Sequence, residues 1–427
     1  MTPGPLAASA RRWGPYALAG VLLLLDYAWL ARGLSHTTDG PVYSNWSLDH
    51  HVYSDVIWLG LTHYGHGLTF VHPLPYVHDR IEYPVLLGFT LWLPGLLPGG
   101  PASWLAAAGV LTAAATFGSI ALVRRQRAGS AWWIAASPAL LLDAGINWDL
   151  IGILFLVGGV VWFGEGRYRL SGAATAAGTF FKLFPVVVAP MALAALGSRW
   201  WRSLDPDRAG DGDGDPAPVG DPPGQALVRW LVPFTVVGAV VMVPLLVVAP
   251  SNTLWFFRFN SQRLQKDSLW VLASKVLGTT VVSNQVVNAA SLVVVTAALG
   301  YGAWMVWRAG ASEQARAVAL GSALAVMVWM MVNKVWNPQY VLWVFAAGAV
   351  VSAPARFGVA LGAASVYDWW YEFVVRVPDH TGPNSWLGYL SIMARLVVVG
   401  LMVAWTVGQL RSLVATPAPV AEPSLRE

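Results

Sequence analysis

The sequence predicts an all-α membrane protein, a polytopic bundle of about eleven to thirteen transmembrane helices. Of the 427 residues, 56% are hydrophobic and only 11% are charged, whereas a soluble domain carries roughly 25% charged residues. Apolar runs of about 20 residues, the length that crosses the hydrocarbon core of a bilayer, recur along the whole chain. The 24 tryptophans fit this class, because indole rings prefer the membrane interface.

The charge balance and the cysteine count exclude several kinds of partner and cofactor. A net charge of +4 would suggest nucleic acid as a partner of a soluble protein. Here most lysines and arginines lie in short loops between apolar runs, which is the positive-inside pattern. We therefore expect a lipid bilayer and no nucleic acid as a partner. The absence of cysteine excludes disulfides, iron–sulfur clusters and thiolate zinc sites.

The arginines predict the orientation of the first helix. Arg11 and Arg12 precede an apolar run at about residues 16–30. If these arginines are cytoplasmic, the helix runs outward and the polar stretch 35–83 lies outside. No small-residue cleavage site follows the apolar run, so we predict an uncleaved helix rather than a signal peptide.

The basic loops then predict the remaining helices in order. The group Arg124, Arg125 and Arg127 allows one full crossing after residue 83, so the apolar piece 84–98 must be a juxtamembrane or re-entrant helix. A hairpin with its apex at Lys182-Leu183-Phe184-Pro185 is predicted within residues 170–198, because proline interrupts a helix. The other helices are predicted at about residues 102–123, 132–146, 150–164, 231–248, 286–307, 317–332, 341–351, 357–374 and 387–410.

A polar segment divides the helices into two groups. Residues 204–225 are rich in Pro, Gly and Asp and cannot bury enough apolar surface to fold. Asp211, Asp213 and Asp215 resemble the start of a calcium loop, but the twelfth position is Pro222 instead of glutamate. The predicted units are an N-terminal module 1–202 with a catalytic outer loop 33–83, a disordered cytoplasmic linker 203–227, a C-terminal module 228–411 and a disordered cytoplasmic tail 412–427.

This topology places many polar residues on the outer face. All eight histidines fall there, and seven lie in the first loop beside Asp55 and Glu82. Charges at helix ends that face one compartment are typical of functional sites in membrane proteins, although a loop in water is polar in any case. The seven histidines of the first loop are His36, His50, His51, His63, His66, His72 and His78.

Four charged residues lie within or beside apolar stretches. Asp149 and Lys182 are at positions where an ionised group costs about 2.5–3.5 kcal/mol unless it is paired or hydrated. An ion pair between them that holds two helices together is the structural alternative to a role in chemistry. We interpret Asp26 in the first helix and Arg395 in the last as contacts inside the bundle.

The combination of carboxylates and cations on one face indicates a reaction type. A carboxylate can take the proton of an acceptor hydroxyl, and Lys or Arg can stabilise a departing phosphate. Those are the needs of sugar transfer from a lipid phosphate. A metal site made by His63, His66 and Asp55 is the rival, but no His-Glu-x-x-His motif is present. We predict neither a metal nor a cofactor.

Several segments together resemble the actinobacterial branch of glycosyltransferase family 87, which includes polyprenol-phosphate-mannose-dependent α-mannosyltransferases of the cell envelope. The resemblance covers about residues 53–343, and its specificity comes from the joint order of the motifs. These are Tyr53-Ser54-Asp55, Pro75-Tyr76, Ile81-Glu82-Tyr83-Pro84-Val85-Leu86, Ser137-Pro138, Asn147-Trp148-Asp149-Leu150, Lys182-Leu183-Phe184-Pro185, Phe257-Arg258-Phe259-Asn260-Ser261-Gln262-Arg263, Ser268-Leu269-Trp270 and Asn333-Lys334-Val335-Trp336-Asn337-Pro338-Gln339-Tyr340.

The resemblance implies a GT-C fold whose active-site cavity opens to the outer face of the cell membrane. The implied partners are a polyprenyl-phosphate sugar donor and a glycolipid or glycan acceptor. Asp55 is implied as the base of an inverting single displacement. The implied donor-phosphate ligands are Lys182, Arg258, Arg263 and Lys334. The remaining candidate substrate contacts are Tyr53, Glu82, Tyr83, His63, His66, Trp148, Asp149, Asn260, Gln339 and Tyr340.

The sequence also departs from the family and leaves other functions open. Family members often show a second proline where Val85 follows Pro84, and the first loop here is unusually rich in histidine. The same residues are compatible with an arabinofuranosyl transferase or another lipid-linked glycosyl transferase. A transporter of a lipid or polar solute is the rival from another class, but transporters usually place ionisable residues near the bilayer midplane.

Overall fold

The computed structural model describes residues 5–65, 70, 72–204, 222–278, 282–376 and 385–415. Across these residues the chain forms helices and no strand, with two isolated β-bridges between loops. Six helices are long and apolar enough to cross a membrane. The architecture is therefore that of an all-α, multi-pass membrane protein, as the composition predicts.

The N-terminal half contains ten α-helices among the described residues. Two of them, α1 and α5, belong to the six long apolar helices. The bounds are α1 Pro5–Leu30, α2 Gly40–Asp49, α3 Asp55–Tyr64, α4 Val85–Gly95, α5 Pro101–Gln126, α6 Ala131–Ala135, α7 Ala139–Leu142, α8 Asp149–Gly164, α9 Tyr168–Lys182 and α10 Val188–Ser203.

The first polar loop contains two short helices, α2 and α3, and α4 follows it; their predicted juxtamembrane position stays a prediction. Helix α2 begins after Asp39, whose Oδ1 accepts a hydrogen bond from the backbone N–H of Val42 at 2.7 Å. Such an N-cap satisfies one of the free donors in the first turn. Helix α4 is only 11 residues long, which is too short to cross a bilayer.

Two breaks in the helices have proline as their cause. Helix α9 ends at Lys182, Leu183 has φ +61°, and a 3₁₀ turn follows at Phe184–Val187. This break lies at the predicted position 182–185, and the hairpin with both basic flanks on one side of the membrane stays a prediction. The predicted helix at 132–146 is instead divided into α6 and α7, because Pro138 has no N–H to donate and its ring crowds the preceding turn.

The C-terminal half contains nine α-helices and a π-helical turn within the described part of the chain. Four of them, α11, α15, α16 and α19, complete the six long apolar helices. The bounds are α11 Pro223–Val248, α12 Pro250–Thr253, α13 Trp255–Gln262, α14 Leu269–Val276, α15 Asn284–Arg308, α16 Gln314–Val332, α17 Val341–Val350, α18 Ala355–Trp369, the π turn Trp370–Arg376 and α19 Trp386–Ala415.

Helix α17 lies at the centre of the main hydrophobic core. All ten of its residues are buried, and it packs against α6, α8 and α16. At Gly348 a side chain would collide with the ring of Trp133, so the glycine permits the close approach of α17 and α6. A helix enclosed in this way by protein needs no lipid-facing surface.

The predicted linker and the predicted number of spans differ in how far the structure describes them. Helix α11 begins at Pro223, eight residues before the predicted start at 231, so the C-terminal end of the predicted linker is helical. Helix α19 extends to Ala415, so residues 412–415 of the tail predicted as disordered are helical. Residues 205–221 of the linker and 416–427 of the tail lie outside the described residues. The six long helices are accompanied by four shorter apolar ones, and the total of eleven to thirteen spans stays a prediction.

The orientation of the bundle can be tested with single cysteines, since the chain has none of its own. Asn45 and Ser261 are exposed on the predicted outer side, and Ser203 is exposed on the predicted cytoplasmic side. We expect Asn45→Cys and Ser261→Cys to react with an impermeant maleimide in intact cells, and Ser203→Cys to react only after permeabilisation. Labelling of Ser203→Cys alone in intact cells would reverse the orientation.

Candidate active site

Asp55 is held by donors on both oxygens of its carboxylate. It is the first residue of α3, where the helix dipole favours a negative charge. Its Oδ1 accepts a hydrogen bond from Tyr53 Oη at 2.8 Å, and its Oδ2 accepts one from Asn147 Nδ2 at 2.7 Å. Burial and the charge of Asp55 raise the pKa of the Tyr53 phenol, so it stays a donor.

The segment 145–147, between α7 and α8, anchors the Asp55 loop. The carbonyl of Gly145 accepts from Ser54 Oγ at 2.7 Å, and the carbonyl of Ile146 accepts from the Asp55 N–H at 2.8 Å. The N–H of Gly145 in turn donates to Asp26 Oδ2 at 2.6 Å. Asp26 is therefore a contact inside the bundle, as predicted, and it fixes the segment that holds Asp55.

Tyr83 and Lys182 continue this network on the other side of Asn147. Nδ2 of Asn147 donates to Tyr83 Oη at 2.7 Å, and Lys182 Nζ lies 4.8 Å from the centre of the Tyr83 ring. Lys182 also pairs with buried Asp149 at 3.2 Å, and Trp343 Nε1 donates to the same carboxylate oxygen at 2.8 Å. The ion pair named as the structural alternative therefore exists, and it balances the charge of Lys182.

A cavity of about 980 Å³ opens beside Asp55, and its wall comes from both halves of the chain. The N-terminal half contributes Asp55 and Lys182, and the C-terminal half contributes Arg263 and Lys334. The other polar residues of the wall from the candidate list are Tyr53, Glu82, Tyr83, Asn260, Gln339 and Tyr340.

The cations of the C-terminal wall differ in their partners. Lys334 Nζ donates to the carbonyl of Ser261 at 3.0 Å and to Asn288 Oδ1 at 2.9 Å, so both of its partners are neutral. Arg263 has no carboxylate partner within the described residues. Burial and the nearby charge of Arg263 lower the pKa of Lys334. In the part of the chain that the structure describes, these two residues therefore form a positive region without an ion pair to an acid.

One arm of the cavity is apolar and runs along α15. Ser291, Leu292, Val295, Thr296 and Leu299 lie on successive turns of one helix face, and this face extends for about 12 Å from the first to the last of them. Leu292 is 67% exposed, so the arm is open at the lipid-facing surface of the bundle. The cavity thus joins a charged end to a hydrocarbon-compatible arm.

A second salt-bridge network forms part of the wall. Lys266 Nζ lies 2.7 Å from Glu372 Oε1, and Arg376 lies 2.7 Å from Glu372 Oε2. The π turn at Trp370–Arg376 brings Glu372 to the cavity. Arg395 is buried and contacts Asp368, which agrees with its interpretation as a contact inside the bundle. Lys266 and Glu372 are wall residues that the sequence candidates did not include.

His63 contacts two acids rather than the open cavity. Its Nδ1 pairs with Asp79, and its Nε2 lies 3.4 Å from Glu82 Oε2. Burial lowers the pKa of this imidazole, but the hydrogen bonds and charges of the two acids outweigh burial and raise it to about 9. His63 therefore holds Glu82, which lines the cavity, and Asp79 is a positioning residue absent from the sequence candidates.

This pKa predicts a pH-dependent stability. The folded-state pKa exceeds the ordinary 6.5, so the stabilisation is complete below about 6.5 and is lost as the pH rises through about 9. A shift of that size corresponds to roughly 3 kcal/mol. We expect the melting temperature of the wild type, but not of His63→Gln, to fall between pH 7 and 10. An equal fall of the melting temperature with pH in the wild type and in His63→Gln would contradict the expectation.

The remaining candidates lie elsewhere. Arg258 is exposed on α13 and is not part of the cavity wall. Trp148 and Asp149 are buried beneath the wall, Trp148 within a hydrophobic cluster and Asp149 against Lys182. His66 lies outside the described residues. In the part of the chain that the structure describes, no group of three His, Asp or Glu side chains is arranged to hold a metal.

Comparisons with known proteins add no assignment to this geometry. No family model matches the chain, and no curated protein shows a significant match.

Proposed function

We propose that the chain is a GT-C glycosyltransferase that resembles family 87 and transfers a sugar, mannose in our hypothesis, from a polyprenyl phosphate to a glycolipid or glycan. One observation carries this proposal. A single cavity is lined by a carboxylate with ordered donors, by two cations without a carboxylate partner in the described part of the chain, and by an apolar face of α15 that reaches the exposed surface. Those three features match an acceptor hydroxyl, a phosphate and an isoprenoid chain.

In the proposed reaction Asp55 is the general base. The acceptor hydroxyl oxygen attacks the anomeric carbon while Asp55 takes its proton, and the bond from that carbon to the phosphate oxygen breaks. The phosphate leaves with the bonding electrons, and the configuration inverts. Hydrogen bonds from Tyr53, Asn147 and Tyr83 keep the carboxylate oriented, and Oδ1, which accepts only the bond from Tyr53, keeps a lone pair for the acceptor.

The leaving phosphate would be stabilised by Arg263 and Lys334. Lys334 is held before reaction by two neutral partners, and within the described residues neither cation has to leave a carboxylate partner. Cations positioned where charge develops are commonly a large source of rate enhancement. Lys182 is already paired with Asp149, so we assign it to holding Tyr83 and the Asp55 wall.

The direct test is the incubation of membranes that contain the protein with radiolabelled polyprenyl-phosphate mannose, with and without chelator. We expect a new labelled glycolipid or glycan that is absent from Asp55→Asn membranes and is insensitive to the chelator. Transfer from a polyprenyl-phosphate pentose instead would change the sugar and keep the mechanism. Movement of a lipid or solute across vesicles without any product would favour the transporter and overturn the proposal.

A further inference from the structure

A second and larger cavity lies outside the candidate active site. It has a volume of about 1230 Å³ and shares no wall residue with the Asp55 cavity. One side is the face of α18 that carries Gly358, Gly362 and Val366, and the other side comes from α6, α17 and α19. We call it the α18 groove. Its aromatic wall residues are Trp132, Trp133, Phe345, Tyr367, Trp370 and Trp405.

The body of the groove presents almost only carbon. Trp133 Nε1 donates to the carbonyl of Ala353 at 3.0 Å, and the hydroxyls of Ser130 and Ser352 bond to each other at 2.6 Å. The polar atoms of these three side chains therefore have protein partners, and most of the remaining wall is aliphatic or aromatic. An apolar cavity without polar partners does not hold ordered water, so a groove of this composition in a membrane bundle takes hydrocarbon.

One end of the groove is positively charged. Arg127 forms part of that end and is exposed, with no carboxylate partner in the described chain. Its neighbour Arg125 instead pairs with Glu165 at 3.5 Å, as does Arg167 at 3.6 Å. A free guanidinium at a membrane surface is suited to a phosphate, since its planar donors match phosphate oxygens.

The length of the groove fits one leaflet. From Ala355 to Tyr367 along α18 the groove extends for about 18 Å, and half of a bilayer core is about 15 Å. An acyl chain that starts beside Arg127 would therefore reach the aromatic residues near Trp370. The arginine pattern predicts that the Arg127 end faces the cytoplasm.

We propose that the α18 groove binds one anionic glycerophospholipid of the leaflet at the Arg127 end, with its phosphate on Arg127 and its acyl chains along α18. The site is separate from the donor and acceptor cavity and does not depend on the proposed function. Trp370 belongs to both the groove and the π turn that carries Glu372. The bound lipid therefore packs against the element that forms part of the Asp55 cavity wall.

The test uses purified protein in phosphatidylcholine vesicles that contain a trace of phosphatidylglycerol with a photoreactive diazirine in its acyl chain. After irradiation, labelled peptides are mapped by mass spectrometry. We expect labelling to concentrate on residues 355–370. Val359 lines the groove and is 74% exposed, so Val359→Trp fills the space and should lower this labelling at least fivefold.

Two comparisons make the result decisive. Val240 is 69% exposed on α11 and lines neither cavity, so Val240→Trp is the matched control and should label like the wild type. Arg127→Gln should remove the preference for phosphatidylglycerol over a phosphatidylcholine probe, and Arg127→Lys should partly restore it. Circular dichroism and gel filtration serve as the controls for correct folding of each variant.

Three outcomes would overturn the proposal. Equal labelling of Val359→Trp and Val240→Trp would mean that only bulk lipid surrounds α18. Equal labelling of the wild type by the phosphatidylglycerol and the phosphatidylcholine probes would show that Arg127 does not select an anionic lipid. Displacement of the probe by polyprenyl phosphate, but not by excess phosphatidylglycerol, would assign the groove to the sugar donor.

Discussion

Replacing Asp55 by asparagine is expected to lower the rate of sugar transfer by about 10²–10⁴-fold, the usual contribution of a general base. The amide keeps the size of the side chain but cannot accept the acceptor's proton. Donor binding should change little, because the proposed phosphate ligands are Arg263 and Lys334, which the substitution leaves in place. The measurement is the initial rate of transfer, together with the binding of labelled polyprenyl phosphate.

The control for this variant follows from the hydrogen bonds. In Asp55→Asn the new NH₂ group lies against a donor of Tyr53 or Asn147. Two donors then face each other, and the resulting loss of stability could also lower the measured activity. The double variant Asp55→Asn/Asn147→Asp restores one donor–acceptor pair and moves the carboxylate to the other residue. We expect it to recover melting temperature but not activity. Near-wild-type turnover in Asp55→Asn would end the assignment of the base.

Replacing Arg263 by glutamine is the second large effect that we expect. If this side chain stabilises the leaving phosphate, its loss should lower kcat/KM by about 10²–10³-fold, as the loss of one preorganised donor does elsewhere. Lys334 lies near Arg263, but we expect that its single ammonium group cannot fully replace the guanidinium. The measurement is kcat/KM for the lipid-phosphate donor at constant ionic strength.

Arg258 provides the matched control for Arg263. It lies five residues earlier in the same motif, but it is exposed and outside the cavity wall. We expect Arg258→Gln to retain activity within about twofold, because a surface charge with no partner contributes little. Equal losses in the two variants would indicate a general effect of positive charge on donor attraction rather than a phosphate site.

The helices were predictable where charge and apolar length agree. The start of α8, the end of α16 and the break after Lys182 lie within a residue of their predicted positions. The predicted helix through Pro138 failed because a single proline ended it within an apolar run. Short helices such as α17 also have the apolar length of a buried core helix, so sequence alone could not tell spanning from enclosed segments.

The sequence predicts several of the residues that line the cavity, but it predicts fewer of the contacts between their side chains. Asp55, Lys182, Arg263 and Lys334 do line one cavity, but the sequence motif could not separate Arg263 from Arg258. Arg258 lies within α13, whereas Arg263 follows its last residue, where the chain leaves the helix with φ −56° and ψ +136°, so the two side chains have different surroundings. The Lys266–Glu372 pair joins residues more than one hundred positions apart, and no local pattern encodes such a contact.

The anchoring of Asp55 by residues 145–147 has a consequence for biogenesis. Asn147 follows Asp55 by 92 positions, and the part of the cavity wall that includes Arg263 and Lys334 comes from Phe256 and later residues. In the proposed topology the loop that carries Asp55 is therefore translocated long before the groups that orient Asp55 are synthesised. Because contacts between distant segments form slowly, the proposed activity would arise late, after both groups of helices have been inserted and assembled.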